Sequence, residues 1–171
     1  MFIAGHIAGV FSTIFAILSL QCKSMKSLLK LLIISSGLLI INFAFLDVWS
    51  LPDLILAVQT VITFIFKVKN IKIPSAVIVL FMASLVTSTI YMYEGFLDIL
   101  PGIAAMIYTF SIIQKKSSDC RILATLHTIL YIIFDIGSGA WAMTVPHILL
   151  LCSAVIGIKK LDTKKTKSNL G

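Results

Sequence analysis

In 171 residues, 59% are hydrophobic and only 12% are charged, with a mean hydropathy of +1.08, whereas soluble domains average about 25% charged residues. No soluble core of this length hides that much apolar surface, so the chain is integral to a membrane. The net charge of +7 does not indicate nucleic acid, because Lys and Arg fall in short clusters between apolar runs and in the tail, without a basic helical face or an aromatic platform.

Taken in chain order, the apolar runs predict an all-α integral membrane protein with seven spans, over residues 2–20, 28–46, 51–66, 73–93, 96–113, 122–137 and 140–158. About 20 apolar residues at 1.5 Å rise cross a hydrocarbon layer of ~30 Å, and the third run is short. Residues 1–20 are as apolar as a signal peptide, but they lack a basic amino-terminal region and a small-residue cleavage site, so they are expected to stay as the first span. Short connections make successive helices antiparallel neighbours. The expected organisation is one bundle over 1–158, with halves 2–68 and 96–158 joined by a linker helix at 73–93. A basic tail, 159–171, is expected to be disordered.

The charges test this layout independently. Lys23, Lys26 and Lys30 fall in the first loop, Lys67, Lys69 and Lys72 in the third, Lys115, Lys116 and Arg121 in the fifth, and Lys159, Lys160, Lys164, Lys165 and Lys167 in the tail. These are all 14 basic residues. Asp47, Asp53, Glu94, Asp98 and Asp135 fall toward the other side. The positive-inside rule then predicts the amino terminus outside and the carboxyl terminus in the cytoplasm.

A second regularity is an internal echo. Gln21-Cys22-Lys23-Ser24 matches Gln114-Lys115-Lys116-Ser117, and Leu51-Pro52-Asp53 matches Val145-Pro146-His147 at almost the same offset. Asn42 and Asp135 hold equivalent places late in the second helix of each half. Parallel repeats of this kind occur in transporter folds. The 3+1+3 layout, with Gln and a basic, Ser-containing loop after the first helix of each half, resembles the PQ-loop and SWEET group of transporters. Leu20 and Ile113 stand where that group carries hinge prolines. The run AGVFSTIFAILSLQCKSMKSLLKLLIISSGLLIINFAFLDVWSLP and its second-half echo resemble more closely the YgjV family of bacterial inner-membrane proteins. That resemblance implies a location in the inner membrane rather than an activity. The four prolines, Pro52, Pro74, Pro101 and Pro146, are expected at helix starts, where a missing N–H costs little.

An ionisable side chain at mid-span costs ~2.5–3.5 kcal/mol on insertion scales, so each intramembrane polar residue raises a functional hypothesis. Asn42, Gln59 and Asp135 are the candidate substrate-binding residues. The bland alternatives are helix–helix hydrogen bonding for Asn42 and Gln59 and an interfacial position for Asp135. His127 and His147 could relay protons or simply bond a neighbouring helix. Trp49 and Trp141 read as interfacial anchors, with stacking on a sugar ring as the alternative. Gly5 and Gly9 permit close packing, within the bundle or between protomers. Cys22, Cys120 and Cys152 lack the spacing of a metal or disulfide site. No catalytic constellation, cofactor or metal is expected.

The leading functional expectation is a transporter or facilitator of a small solute, whether sugar, amino acid or organic anion. A non-transporting scaffold that binds a partner protein is the alternative. The bilayer itself, and anionic lipid at the tail lysines, are the expected partners, with homo-oligomers left open.

Overall fold

The computed structural model describes residues 2–47 and 50–162. The roles expected of Trp49 and of the tail lysines Lys164, Lys165 and Lys167 fall outside those residues. Seven helices follow in order: α1 (Phe2–Leu20), α2 (Met25–Leu46), α3 (Leu51–Val68), α4 (Ser75–Tyr91), α5 (Ile99–Ile113), α6 (Ser117–Gly137) and α7 (Trp141–Gly157). A 3₁₀ turn, Phe96–Asp98, leads into α5, and a π-helical turn, Ile158–Asp162, continues α7.

Local chemistry sets the ends. Ser24 caps α2, its hydroxyl accepting the Ser27 N–H at 3.1 Å, which starts this helix ahead of the apolar run. Ser50 caps α3 in the same way, with Pro52 in the first turn. Asp98 accepts the N–H groups of Glu94 at 2.9 Å and Gly95 at 2.8 Å, fixing the entry to α5. Pro146 departs from expectation, since it lies inside α7, where its missing N–H leaves the carbonyl four residues back without an intrahelical donor.

Among the described residues, six helical segments are long and apolar enough to cross a membrane, and α4 is a shorter apolar helix of 17 residues. At 1.5 Å per residue α4 reaches about 26 Å, just under a ~30 Å hydrocarbon layer. It is shorter than its apolar run because Pro74 sits in an extended conformation (φ −62°, ψ 143°) and Met92 leaves helical angles.

The closest helix pairs are α1 with α2 and α5 with α6, followed by α6 with α7 and α2 with α3. Contacts of α1 with α7 and of α3 with α5 close these six helices into a ring, and α4 packs outside against α3 and α5. Close approach is built on small residues. Gly9 faces the Asn42 amide so tightly that a Cβ would overlap it, and Gly5 lies against Leu46. Both glycines of the first span therefore serve the α1–α2 contact. Ser12 and Ser35 exchange hydroxyl-to-carbonyl bonds of 2.8 and 2.9 Å across the same interface.

Polarity is arranged inside out. Ile7, Val10, Val58, Val79, Leu80, Ile122 and Leu149 are exposed, while Ser19, Gln59, Thr60, Thr109, Ser111, Thr128 and Asp135 are buried. This is the pattern of a bundle whose outer surface meets lipid and whose helices are joined by small and polar residues.

The loops after α1 and α5 meet at one end, where Ser117 Oγ donates to Lys23 O at 2.8 Å. Arg121, 1% exposed, ties the same region together. Its guanidinium donates to Cys22 O at 2.8 Å and to Asp162 beyond α7, with Nε to Oδ2 at 3.0 Å. Across the ring, Lys67 at the end of α3 donates to Ile113 O at 3.2 Å and to Gln114 O. Leu28, Leu29, Met25, Ile112 and Cys120 fill this basic end.

Candidate functional site

Inside the ring lies a cavity of about 530 Å³. Six helices supply most of its wall, because each turns one stripe inward at i, i+4 spacing. On α2 the stripe is Leu32, Ser36, Leu39 and Phe43, and on α6 it is Ala124, Thr128, His127, Tyr131 and Asp135. At the basic end the wall is buried, through Ser19, Leu28, Ser111 and Cys120. At the other end it reaches Met92 and Met143, which are exposed, and carries Asp53, Asp98, Asp135 and His147.

Asp135 and His147 form the polar centre. Asp135 is 3% exposed, and His147 Nδ1 donates to its Oδ2 at 2.6 Å. The pair forms because Asp135 closes the stripe on α6 while His147 sits one residue after Pro146 on the facing turn of α7. Below it a ladder of rings descends the cavity. His147 lies 5.0 Å from Tyr131, Tyr131 4.9 Å from His127, and His127 5.2 Å from Tyr108, between ring centroids. His127 Nδ1 bonds Ala104 O at 2.9 Å. A carbonyl only accepts, so this nitrogen carries the hydrogen and a neutral ring keeps Nε2 as acceptor. The rungs are ring contacts; among the described residues no hydrogen bond joins one ring to the next.

The structure brings three of the five sequence candidates together on this wall: Asp135, His147 and His127. Gln59 and Asn42 are placed elsewhere. Gln59 is 1% exposed and links three helices, its Nε2 donating to Phe81 O at 3.2 Å and its Oε1 accepting from Thr109 at 2.7 Å. On α3 it is Leu56 that faces the cavity. Asn42 points at Gly9, while Leu39 and Phe43 take the inward stripe of α2. Trp141 is exposed at the start of α7.

Tyr108, Tyr131, Asp53 and Arg121 gained importance only in three dimensions. Two of them carried a readable signal. Tyr131 lies midway between His127 and Asp135 at i, i+4, i+8, and Asp53 matches His147 in the Pro52/Pro146 echo. Outside the spans, Cys22 has its thiol pushed above the ordinary value by burial, with the Arg121 charge pulling it back.

A match to the Imp-YgjV family, described as bacterial inner membrane protein, covers residues 3–165. The chain belongs to that family. As an Imp-YgjV protein it is a multi-pass protein of the bacterial inner membrane, and the match spans every wall-forming helix of the cavity. No curated protein and no solved structure matches this Imp-YgjV chain.

Proposed function

We propose that the protein is a transporter or facilitator of a small solute, which occupies the cavity between the helices. The cavity carries this reading: about 530 Å³ lies within the ~300–1,000 Å³ of small-molecule sites. It also holds an Asp–His pair with a buried carboxylate and a half-buried imidazole, a costly feature in a membrane bundle unless it serves a solute or ion.

In this proposal α4 completes a seventh crossing, and α1–α3 and α5–α7 form two like-oriented triplets in a PQ-loop-like 3+1+3 arrangement. Support comes from matched contacts. The α1–α2 pair corresponds to α5–α6, and the α1–α7 contact corresponds to α5–α3. Polar ties also recur at matching places: Gln59 with Thr109 on one side, and Ser153 with Ile17 O at 2.9 Å on the other. The echo is not complete. Gln21 crosses to Ser153, whereas Gln114 bonds back to Phe110 O in its own helix. Positive-inside bias puts the basic end in the cytoplasm and the acidic end outside. Lys159, Lys160 and the tail then meet anionic lipid, at about 1 kcal/mol per lysine.

A membrane scaffold is the competing reading. It is favoured by Leu20 and Ile113, which leave both presumed hinge sites without proline, and by the tight Arg121 junction. The two separate in proteoliposomes tested for uptake across sugars, amino acids, organic anions and amines. Transport requires flux of at least one class that disappears in the Asp135→Asn/His147→Gln double variant. Absence of flux from the whole panel, or flux indifferent to that variant, would favour the scaffold.

A further inference from the structure

The cavity's charge is one-sided. Asp53, Asp98 and Asp135 lie on its wall, and among the described residues neither Lys nor Arg does. The basic residues sit at the far end or in the tail. Asp98 is committed to the backbone N–H groups of Glu94 and Gly95. Asp135 is not fully used: His147 takes Oδ2, and Oδ1 has no donor among the described residues although the residue is 3% exposed. The Tyr131 hydroxyl, also on the wall, likewise has no hydrogen-bond partner among the described residues. Both atoms are open to the cavity rather than sealed in the protein, since among the described residues the buried side-chain polar atom without a partner is Thr63 Oγ1, and a bound donor would complete them.

Most of the remaining wall is apolar and aromatic, with Leu39, Phe43, Leu56, Tyr108, Phe134 and Leu150, and the hydroxyls of Ser19, Thr89, Ser111 and Thr128 donate back to carbonyls of their own helices. Such a surface suits a hydrocarbon or aromatic body, and its ring faces favour a cation. A sugar would find few donors not already committed within the protein, since the hydroxyls of Ser19, Ser35, Thr89, Ser111 and Thr128 are each bonded to a backbone carbonyl, and an organic anion would meet like charge.

We propose that the cavity binds a protonated amine with an apolar or aromatic body, its ammonium beside Asp135 and Asp53 and its body among the aliphatic and aromatic side chains. This rests on the solute-cavity reading and narrows its solute to an organic cation. A carboxylate accepting a charged donor in a desolvated site gives a strong, short hydrogen bond, and one ammonium group satisfies both oxygens left open here.

The test uses three probes of one shape: phenethylammonium, phenylethanol and phenylpropionate, titrated calorimetrically into the full-length protein in nanodiscs. The expected order is the cation about tenfold or more tighter than either other probe, a difference of ~1.4 kcal/mol. Asp135→Asn and Asp53→Asn, both nearly isosteric, should each erase most of that preference while phenylethanol binding is retained, which also reports that the cavity is still folded. Equal binding of the three probes, or a cation preference that survives the double Asp53→Asn/Asp135→Asn variant, would overturn the proposal. Flux of a neutral or anionic solute in proteoliposomes, with no cation preference in the titration, would leave transport standing and remove the cation. Cation preference without flux of any probe would do the reverse.

Discussion

The two ends of the cavity are built on opposite principles. At the basic end, buried aliphatic side chains, the thiol of Cys120 and two cationic side chains close the ring: Arg121 joins the ends of α1 and α7, and Lys67 joins the end of α3 to that of α5. At the acidic end the wall runs out to the exposed Met92 and Met143; there Asp98 caps the entry to α5, while Asp135, paired with His147, leaves one oxygen toward the cavity. The same kind of residue thus does different work. A charge that bridges backbone carbonyls ties helix ends together, and a carboxylate with an open oxygen faces the cavity. In the proposed transporter this difference gives the cavity one way in.

The largest expected effect lies at the seal. Replacing Arg121 by Met leaves Asp162 and Cys22 O without their donor; losing one partner of a buried ion pair costs about 3–5 kcal/mol, and the partial exposure of Asp162 puts this loss at the low end of that range. A correspondingly lower unfolding midpoint in mixed detergent is expected, with partial recovery when Asp162→Asn is added. An unchanged midpoint would mean that the junction does not hold the ring shut.

Next comes the packing beneath it. A Cβ at Gly157 would stand 2.7 Å from Leu20 O and 2.8 Å from Arg121 Cδ, whereas nothing lies within 4 Å of one at Gly37. Gly157→Leu should therefore destabilise by about 1–3 kcal/mol through overpacking. Gly37→Leu should not destabilise measurably in the same assay, and equal effects would contradict the close α7–α1 approach.

Smaller still is Gln59→Leu. Interhelical hydrogen bonds within membranes average about 0.6 kcal/mol, so a slight loss of stability is expected. Because Gln59 ties α3 to α4 and α5 behind the wall, phenethylammonium binding should be unchanged. A large loss of binding would place Gln59 in the site.

The smallest effect concerns Cys22 at the sealed end. Burial raises its thiol and the Arg121 charge lowers it, so at pH 8 less thiolate is present than in a free cysteine and alkylation is slower. The rate should climb as pH rises past the ordinary thiol range. Arg121→Met should slow it further at fixed pH by removing the charge that favours thiolate.

Much of the fold was legible because membrane helices announce themselves by length, and the clustered lysines marked one end of the bundle. The run at 2–20 became α1 at the same residues. Helix ends were less legible where helices start ahead of the hydropathy: Ser24 caps α2, and α6 begins at Ser117 without a side-chain cap, both before the apolar runs begin. The site was half legible. Asp135, His127 and His147 stood out because charge and imidazole are rare in such segments. Asn42 and Gln59 stood out for the same reason, but rarity says nothing of which way a side chain turns. Neighbouring Phe43 and Leu56 face the cavity instead. Arg121 looked like one more topology marker, because its partners are a backbone carbonyl and a carboxylate far along the chain.

The single-entry cavity is tested most directly by labelling Thr128→Cys, midway along the wall, in a protein whose native cysteines are replaced by Ala. Membrane-impermeant methanethiosulfonates of equal size and opposite charge would be applied separately to the two membrane faces. Reaction from the outer face alone, faster for the cationic reagent, is the expected result. Reaction from both faces, or a faster anionic reagent, would contradict a cavity sealed at its basic end and open at its acidic one, and reaction from the cytoplasmic face alone would reverse the proposed orientation.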